Sequence, residues 1–266
     1  MTKRKELFGL KSHIWKIMIP QHLLLLIGLI LLFLGYGSFW SLLLIPLGYL
    51  ILGYCGASLF IHRYWCHRSF ETHPLIAYIG AYFGLLCGSG TPITVEAIHM
   101  RMHHSHSDTE NDPHSPIYGV FWSWIGWHNM TIKWPKLNRN LVSNPVLRFM
   151  HRNYFKIWWT TVIIALIINW QFAIFFIIGA GVYNFHLEGL VNSFCHMHDE
   201  KYGYRNGNTS DNSTNLNSKL LMFLSFGNSL HHNHHLQPRN YTYALKPGEF
   251  DLAKYIVPLI QTKKEI

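Results

Sequence analysis

Charged side chains are scarce in this chain of 266 residues. They make up 13% of it, 13 acidic against 22 basic, roughly half the share of an ordinary soluble domain. A water-facing globular surface is hard to build from so little charge. The net charge of +9 does not form the continuous basic stripe that nucleic acid requires, which excludes that partner. Cysteine is rarer still. Cys55, Cys66, Cys87 and Cys195 make no CxxC pair and lie in or beside apolar segments, which excludes a disulfide-stapled scaffold and predicts free thiols. The HExxH zinc-protease helix is absent, as is any flavin, nicotinamide or haem fingerprint. Glycine is too sparse for a collagen-like chain, and aromatic residues, at 15%, are too abundant for a disordered one.

Long apolar runs stand where the charge is missing. From Ile17 to Ile61 there are 45 positions without Lys, Arg, Asp or Glu, enough for two helices at about 20 residues per membrane crossing. Gly35, Tyr36, Gly37 and Ser38 supply the turn, and Pro46 is tolerable in a membrane helix. The basic stretch Met1 to Lys16 leads into a run too long for a signal peptide and without a small-residue cleavage site, so it reads as a retained first span. A second charge-free run, Ile157 to Leu187, is interrupted at Asn169, Trp170 and Gln171 and makes two crossings only by extending to Tyr154 and Phe194. Leu75 to Leu86, broken by Gly80 and Gly84, is expected to lie in the interface. A full crossing there would put the histidines near 62 and those near 99 on opposite faces.

The expected architecture is an all-α integral membrane protein, about four transmembrane helices in two hairpins with a cytosolic helical cap. Residues 1–266 form one domain: a first hairpin over 17–61, a cytosolic and interfacial segment over 62–153, a second hairpin over 154–194 and a cytosolic tail over 195–266. Lys3, Arg4, Lys5, Lys11 and Lys16, with Lys133, Lys136, Arg139, Arg148, Arg152 and Lys156, gather on the side away from the two uncharged turns. The positive-inside rule makes that side cytosolic. The sequons at Asn129, Asn208, Asn212 and Asn240 fall there and are expected to be unmodified. Asn206 to Ser218 reads as a polar surface loop.

Nineteen histidines then need an account. Three clusters stand out: His62-Arg-Tyr-Trp-Cys-His67, His99-Met-Arg-Met-His103-His104 and His231-His-Asn-His234-His235. Neutral imidazole is the commonest transition-metal ligand. On an α-helix, positions four apart share a face, so His99 with His103, and His231 with His235, can converge on one metal. The adjacent His104 and His234 point about 100° away, so doublets suit two metals side by side. The five-residue step from His62 to His67 does not fit one α-helical face, which predicts that the helix ends there and the chain bends. His13, His22, His73, His128, His151 and His186 read as packing or interfacial side chains, and Trp122, Trp124 and Trp127 as an aromatic belt or the wall of an acyl site.

These residues resemble the membrane-bound fatty acyl desaturases, the histidine-box family of stearoyl-CoA desaturase and the bacterial and cyanobacterial delta-9 enzymes. HRYWCHRSF, HHSHSDTENDPHSP, LVNSFCH and HHNHH occur in the family's order between about Gly53 and His235. The resemblance implies that His62, His67, His99, His103, His104, His196, His231, His234 and His235 are catalytic metal ligands and that Asn192 holds a metal-bound water. His232 falls outside that set, and His106 and His198 are near but unassigned. Asp108, Asp112 and His114 fall in the family's acidic segment, as hydrogen-bonding partners of the ligands or, for Asp112, as a turn set by Asp-Pro. The chain departs from the pattern in the three residues between His99 and His103, in Gly-Asn-Ser-Leu before the last box, and in Ile98, where animal acyl-CoA enzymes carry an acidic residue.

The implied function is O2-dependent insertion of a cis double bond, at delta-9, into a saturated acyl chain by a di-iron centre. The acyl carrier is CoA, a carrier protein or a membrane lipid. Two electrons come from a separate acidic carrier such as ferredoxin or cytochrome b5, docked on the basic face. The alternatives are a di-iron hydroxylase of lipids and, more distantly, a membrane metal transporter or sensor, whose ligands would lie near the bilayer midplane.

Overall fold

The computed structural model describes residues 10–129 and 135–262. Lys3, Arg4, Lys5 and Lys133 of the basic flanks, and Met130 and Thr131 of the first sequon, lie outside the described residues. Among the described residues, three helices are long and apolar enough to cross a bilayer: α1 (Ile14–Phe33), α2 (Phe39–Cys66) and, later in the chain, Phe172–Phe194. The turn between α1 and α2 falls where glycine permits it, with Gly35 at φ +84°, and the Ser38 hydroxyl caps α2 by accepting from the Trp40 amide at 3.3 Å. Leu23, Leu26, Ile27 and Ile30 on α1 are large exposed apolar side chains, as a lipid-facing stripe should be, while Ile17 and Leu32 point into the core.

Two shorter helices follow the first hairpin. The chain reverses after α2 into α3 (Pro74–Cys87), turns at Gly88 and Gly90, both at positive φ, and comes back as α4 (Pro92–His106), bent by 74° from α3. The expectation of a helix lying in the interface is corrected here. α3 runs antiparallel along α2: Trp65 Nε1 donates to the Ala77 carbonyl at 3.3 Å, the Phe60 ring covers Gly80, and Gly56 and Gly84 meet backbone to backbone. Gly80 and Gly84, read from sequence as interruptions, form the contact surface together with Gly56. α3 and α4 therefore dip down α2 and return, and His62 and His99 end on the same face.

The second hairpin is α5 (Tyr154–Ile168) and α6 (Phe172–Phe194). Its helices reach Tyr154 and Phe194, the extension that the short charge-free run requires. At 15 residues α5 spans about 22 Å, short of a full hydrocarbon core of about 30 Å. It carries its own exposed stripe, Ile163, Ile164, Ile167 and Ile168, and buries Trp158 completely, its Nε1 donating to the Leu86 carbonyl of α3 at 3.0 Å.

Beyond α6 lies the cap. A two-residue hairpin, β1 (Gly203–Tyr204) with β2 (Asn215–Leu216), precedes α7 (His231–Leu236). Asn206 to Ser218 is not the surface loop expected: Ser213, Thr214 and Asn215 are buried, held by hydrogen bonds to Asp211, His198 and Asn233. The tail after α7 is tied back to α2 by a buried ion pair, Arg63 Nη1 to Asp251 Oδ1 at 3.0 Å with both side chains inaccessible. Tyr54 Oη donates to the same carboxylate at 2.7 Å.

Candidate metal centre

The carboxyl-terminal ends of α2, α4 and α6, together with α7, deliver nine histidines to one place in the described structure. Ligand atoms of His62, His67, His99, His104 and His234 form one group, and those of His103, His196, His231 and His235 a second. Each adjacent doublet, 103 with 104 and 234 with 235, is divided between the groups, because neighbouring side chains on a helix diverge by about 100°.

The partition differs in two places from a reading in α-helical steps. α2 ends in wide turns with an i to i+5 pattern over Tyr49–Cys66, and the His67 amide donates to the His62 carbonyl at 3.1 Å. The helix ends at Cys66, as expected, with His67 at its cap and Arg68 turning at φ +54°. The wide turn stacks His62 and His67, whose Nε2 atoms are 3.0 Å apart. The same turn over His99–His103 brings His99 Nε2 within 3.0 Å of His104 Nε2 and sends His103 to the other group, so His99 and His103 do not converge. Single wide turns of this kind are often found at functional sites. His231 and His235, on an ordinary α-helical turn, do converge, at 3.1 Å.

The donor set fits cations. Asp112 Oδ2 accepts from His103 Nδ1 at 2.9 Å and Asp211 Oδ2 from His235 Nδ1 at 2.6 Å, while Asp108 Oδ1 stands 3.0 Å from His196 Nδ1. A carboxylate on Nδ1 fixes the proton there and turns the Nε2 lone pair inward. His103 and His235 then face each other lone pair to lone pair, Nε2 to Nε2, at 3.3 Å, an arrangement without a hydrogen bond that a shared cation makes favourable. Ligand nitrogens about 2.0–2.1 Å from an ion and at right angles lie about 3 Å apart; the shortest spacings within the groups run from 2.7 to 3.3 Å, and all ligand atoms of a group lie within 4.8 Å of one another. Burial, and then the neighbouring imidazoles, hold His231, His234 and His235 well below the ordinary histidine range, which keeps them neutral and able to ligate. Burial alone would raise the Asp112 carboxyl, but His114 and His103 outweigh it and hold the group below the usual carboxylate range.

The two groups are supported differently. The second has aspartates behind three outer nitrogens, hydrogen-bonded at His103 and His235 and within ion-pair distance, without a hydrogen bond, at His196. Among the described residues the first has none: His67 Nδ1 and His234 Nδ1 are buried without a partner, and Tyr243 Oη, 3.5 Å from His62 Nδ1, is the nearest aid. Arg63 stacks on the Tyr243 ring, 3.7 Å from its centroid, so the buried ion pair with Asp251 braces this wall. Sequence reasoning missed Asp211, Tyr243, Arg63 and Asp251. Asp211 lay in a stretch read as surface loop, and the others lacked any local pattern. Asp112 performs both roles weighed for it: Oδ1 accepts from the His114 amide at 3.2 Å in a turn, while Oδ2 holds His103. Asp108 adopts φ +62°, a left-handed conformation Asp tolerates better than most residues.

Of the other histidines, His114 packs on His103, ring centroids 4.3 Å apart, and forms a third group with His103 and Asp112, while His232, His198, His106, His22 and His186 lie apart. His232 bonds Ser213 Oγ and the Gly207 carbonyl, His198 bonds Thr214, and His106 bonds its own helix at Met102. His22 and His186 pair at 3.2 Å between α1 and α6. Asn192 lines a cavity of about 190 Å³ that touches His62, His99 and His231 and runs beside Gly88 to Gly90, Asn184 and Glu188. Of the three tryptophans considered, Trp127 lines it; Trp122 donates to the Pro113 carbonyl and Trp124 to His186.

Membrane hairpins whose ends converge on two nests of imidazole describe a membrane protein with histidine groups that could hold metal. The chain belongs to the fatty acid desaturase family, whose model matches residues 38–249, and is an oxidoreductase of fatty acyl chains. It is 34% identical to the sn-1 stearoyl-lipid 9-desaturase of Anabaena variabilis over 218 residues, 80% of this chain and 78% of the relative. It is 30% identical to the acyl-CoA C20 delta5-desaturase of Anemone leveillei (85% and 72% covered) and 30% identical to the delta-9 acyl-lipid desaturase 2 of Arabidopsis thaliana (82% and 71% covered).

Proposed function

We propose that this chain inserts a cis double bond at the delta-9 position of a saturated acyl chain carried on a membrane lipid, with O2 as co-substrate. The observation that carries the reading is the pair of histidine groups at the head of a cavity enclosed by membrane helices. His62, His67, His99, His104 and His234 would hold one iron, and His103, His196, His231 and His235 the other, with Asn192 directing a water toward the second. The metal pair, when bound and reduced by two external electrons, supplies the oxidising power that no side chain has for an unactivated methylene. The residues of this chain contribute the rest. Asp108, Asp112 and Asp211 fix imidazole tautomers, and the cavity wall aligns the acyl carbons, since small displacements decide which carbons react. A lipid carrier is supported by the names of two of these relatives and by Ile98 at the position where an acidic residue serves CoA enzymes. Lys136, Arg139, Arg148, Arg152 and Lys156 are exposed and flank the membrane segments on the metal side. That face is assigned to the cytosol and suits an acidic electron carrier such as ferredoxin or cytochrome b5.

The test is the fatty-acid profile, with double-bond localisation, of a desaturase-deficient host expressing the chain or its His104→Ala variant. A new delta-9 monounsaturated acid that disappears in the variant is expected. A hydroxylated acid alone would overturn desaturation, and no product from metal-loaded, reduced protein would turn the reading toward metal handling.

A further inference from the structure

The cavity leading away from the histidines carries a polar corner on its wall. Glu188 lies on α6 one turn from Asn192 and two turns from His196, about 12 Å along the axis from that histidine. It shares a face with Asn184 and Asn192, whereas His186, about 200° around the helix, is exposed on the outer side with Phe194. Glu188 lines the cavity and keeps an exposed side chain. Its Oε1 accepts from Asn184 Nδ2 at 2.8 Å and from Ser89 Oγ at 3.4 Å. The Asn184 amide also donates to Ser89 Oγ at 3.0 Å. Ser89 is presented by a turn in which Gly88 and Gly90 both adopt positive φ, +90° and +101°. Gln21 closes the same corner, its amide donating to the Cys87 carbonyl at 3.3 Å.

This is a built polar site with one acceptor left over. Oε2 of Glu188 has no hydrogen-bond partner among the described residues, and no Lys or Arg lines the cavity there; the basic groups on the described wall are the imidazoles of His13, His114 and His128 and, at the metal end, of His62, His99 and His231. A carboxylate at membrane depth without a counter-cation is costly. An alkyl chain laid against it would strip its remaining water and return nothing. A bound group with an O–H or N–H donor would offset that cost.

We propose that Glu188, with Asn184 and Ser89, is a substrate-recognition site that takes a hydrogen-bond donor, a hydroxyl or an amine, carried on the acyl chain within a few carbons of the position oxidised. The proposal rests on the desaturase reading and narrows its substrate class from plain saturated chains to chains bearing such a donor.

The test uses the full-length, metal-loaded protein in lipid nanodiscs and displacement of a fluorescent fatty acid by chain-matched acyl lipids. These are plain, or carry one hydroxyl or one amine at successive positions. One position of the donor is expected to bind at least about tenfold more tightly than the plain chain, the gain of a hydrogen bond to a charged group. Glu188→Leu should erase that ratio, and the near-isosteric Glu188→Gln, which serves if the Leu variant does not fold, should reduce it. An amine favoured over the hydroxyl, with the preference lost in Glu188→Gln, identifies charge pairing as the form of recognition. Equal binding of plain and substituted chains, or a ratio that survives both variants, overturns the proposal. Because the ratio is read without turnover, its failure is distinct from failure of the desaturase reading, which would appear as no unsaturated product from any chain.

Discussion

At the scale of single residues, the carboxylates behind the histidines carry testable consequences. Asp211 orients His235 through a 2.6 Å hydrogen bond, and a lost partner of this type lowers metal affinity about 10–100-fold. Asp211→Asn is expected to lose metal from the second group first, seen as a drop in bound iron on titration with a chelator while the fold, followed by circular dichroism, is kept. Asp251 belongs to a different role. It is fully buried with Arg63, and removing one partner of such a pair leaves an uncompensated charge that costs about 3–5 kcal/mol. Asp251→Ala should therefore lower the thermal midpoint sharply, and a midpoint within a degree or two of the wild type would contradict the bracing role. His13 predicts a pH dependence. Burial, opposed by its hydrogen bond to the Gly88 carbonyl, lowers this imidazole from 6.5 to about 4. The unfolded chain takes up the proton below 6.5 and the folded one only near 4, so this contribution is complete above pH 6.5 and is lost as pH falls toward 4. Thermal midpoints measured across that window should fall less steeply in His13→Asn than in the parent.

At the scale of elements, what was legible depended on whether helical period told the truth. The apolar runs located α1, α2, α5 and α6, and the doublets His103-His104 and His234-His235 pointed to two histidine groups, because both inferences use only length and the divergence of adjacent side chains. Pairing within the second box failed because α4 is wound wide over His99–His103, and no composition signal announces an i to i+5 turn. α3 was misplaced because its glycines were read as weakness in an apolar run. They are the reason it can lie on α2: a Cβ on Gly56 would stand 2.3 Å from the Gly84 nitrogen. Gly56→Val should push the two helices apart at a cost of at least about 1–3 kcal/mol and loosen the position of His62 relative to His99. Lower stability together with weaker metal retention is expected, and retention of both would show that the contact does not position the site.

At the scale of the whole molecule, long-range ties assemble the centre. The nine histidines come from four separated stretches, and only the resemblance to the desaturases identified His196, an isolated histidine without a box, as one of them. The tail after α7 looks dispensable in sequence, yet Asp251 reaches back to Arg63 on α2 and Tyr243 leans on both His62 and His234. No local pattern records such partners, since they meet only after the chain has closed around the membrane hairpins. The measurement that tests the account most directly is the iron content per chain of purified wild type, His104→Ala and His235→Ala, one ligand removed from each group. Two irons in the wild type and loss of a different one in each variant, distinguishable by Mössbauer spectra, is the result the two-nest geometry predicts. A single iron per chain, or the same iron lost from both variants, would contradict it.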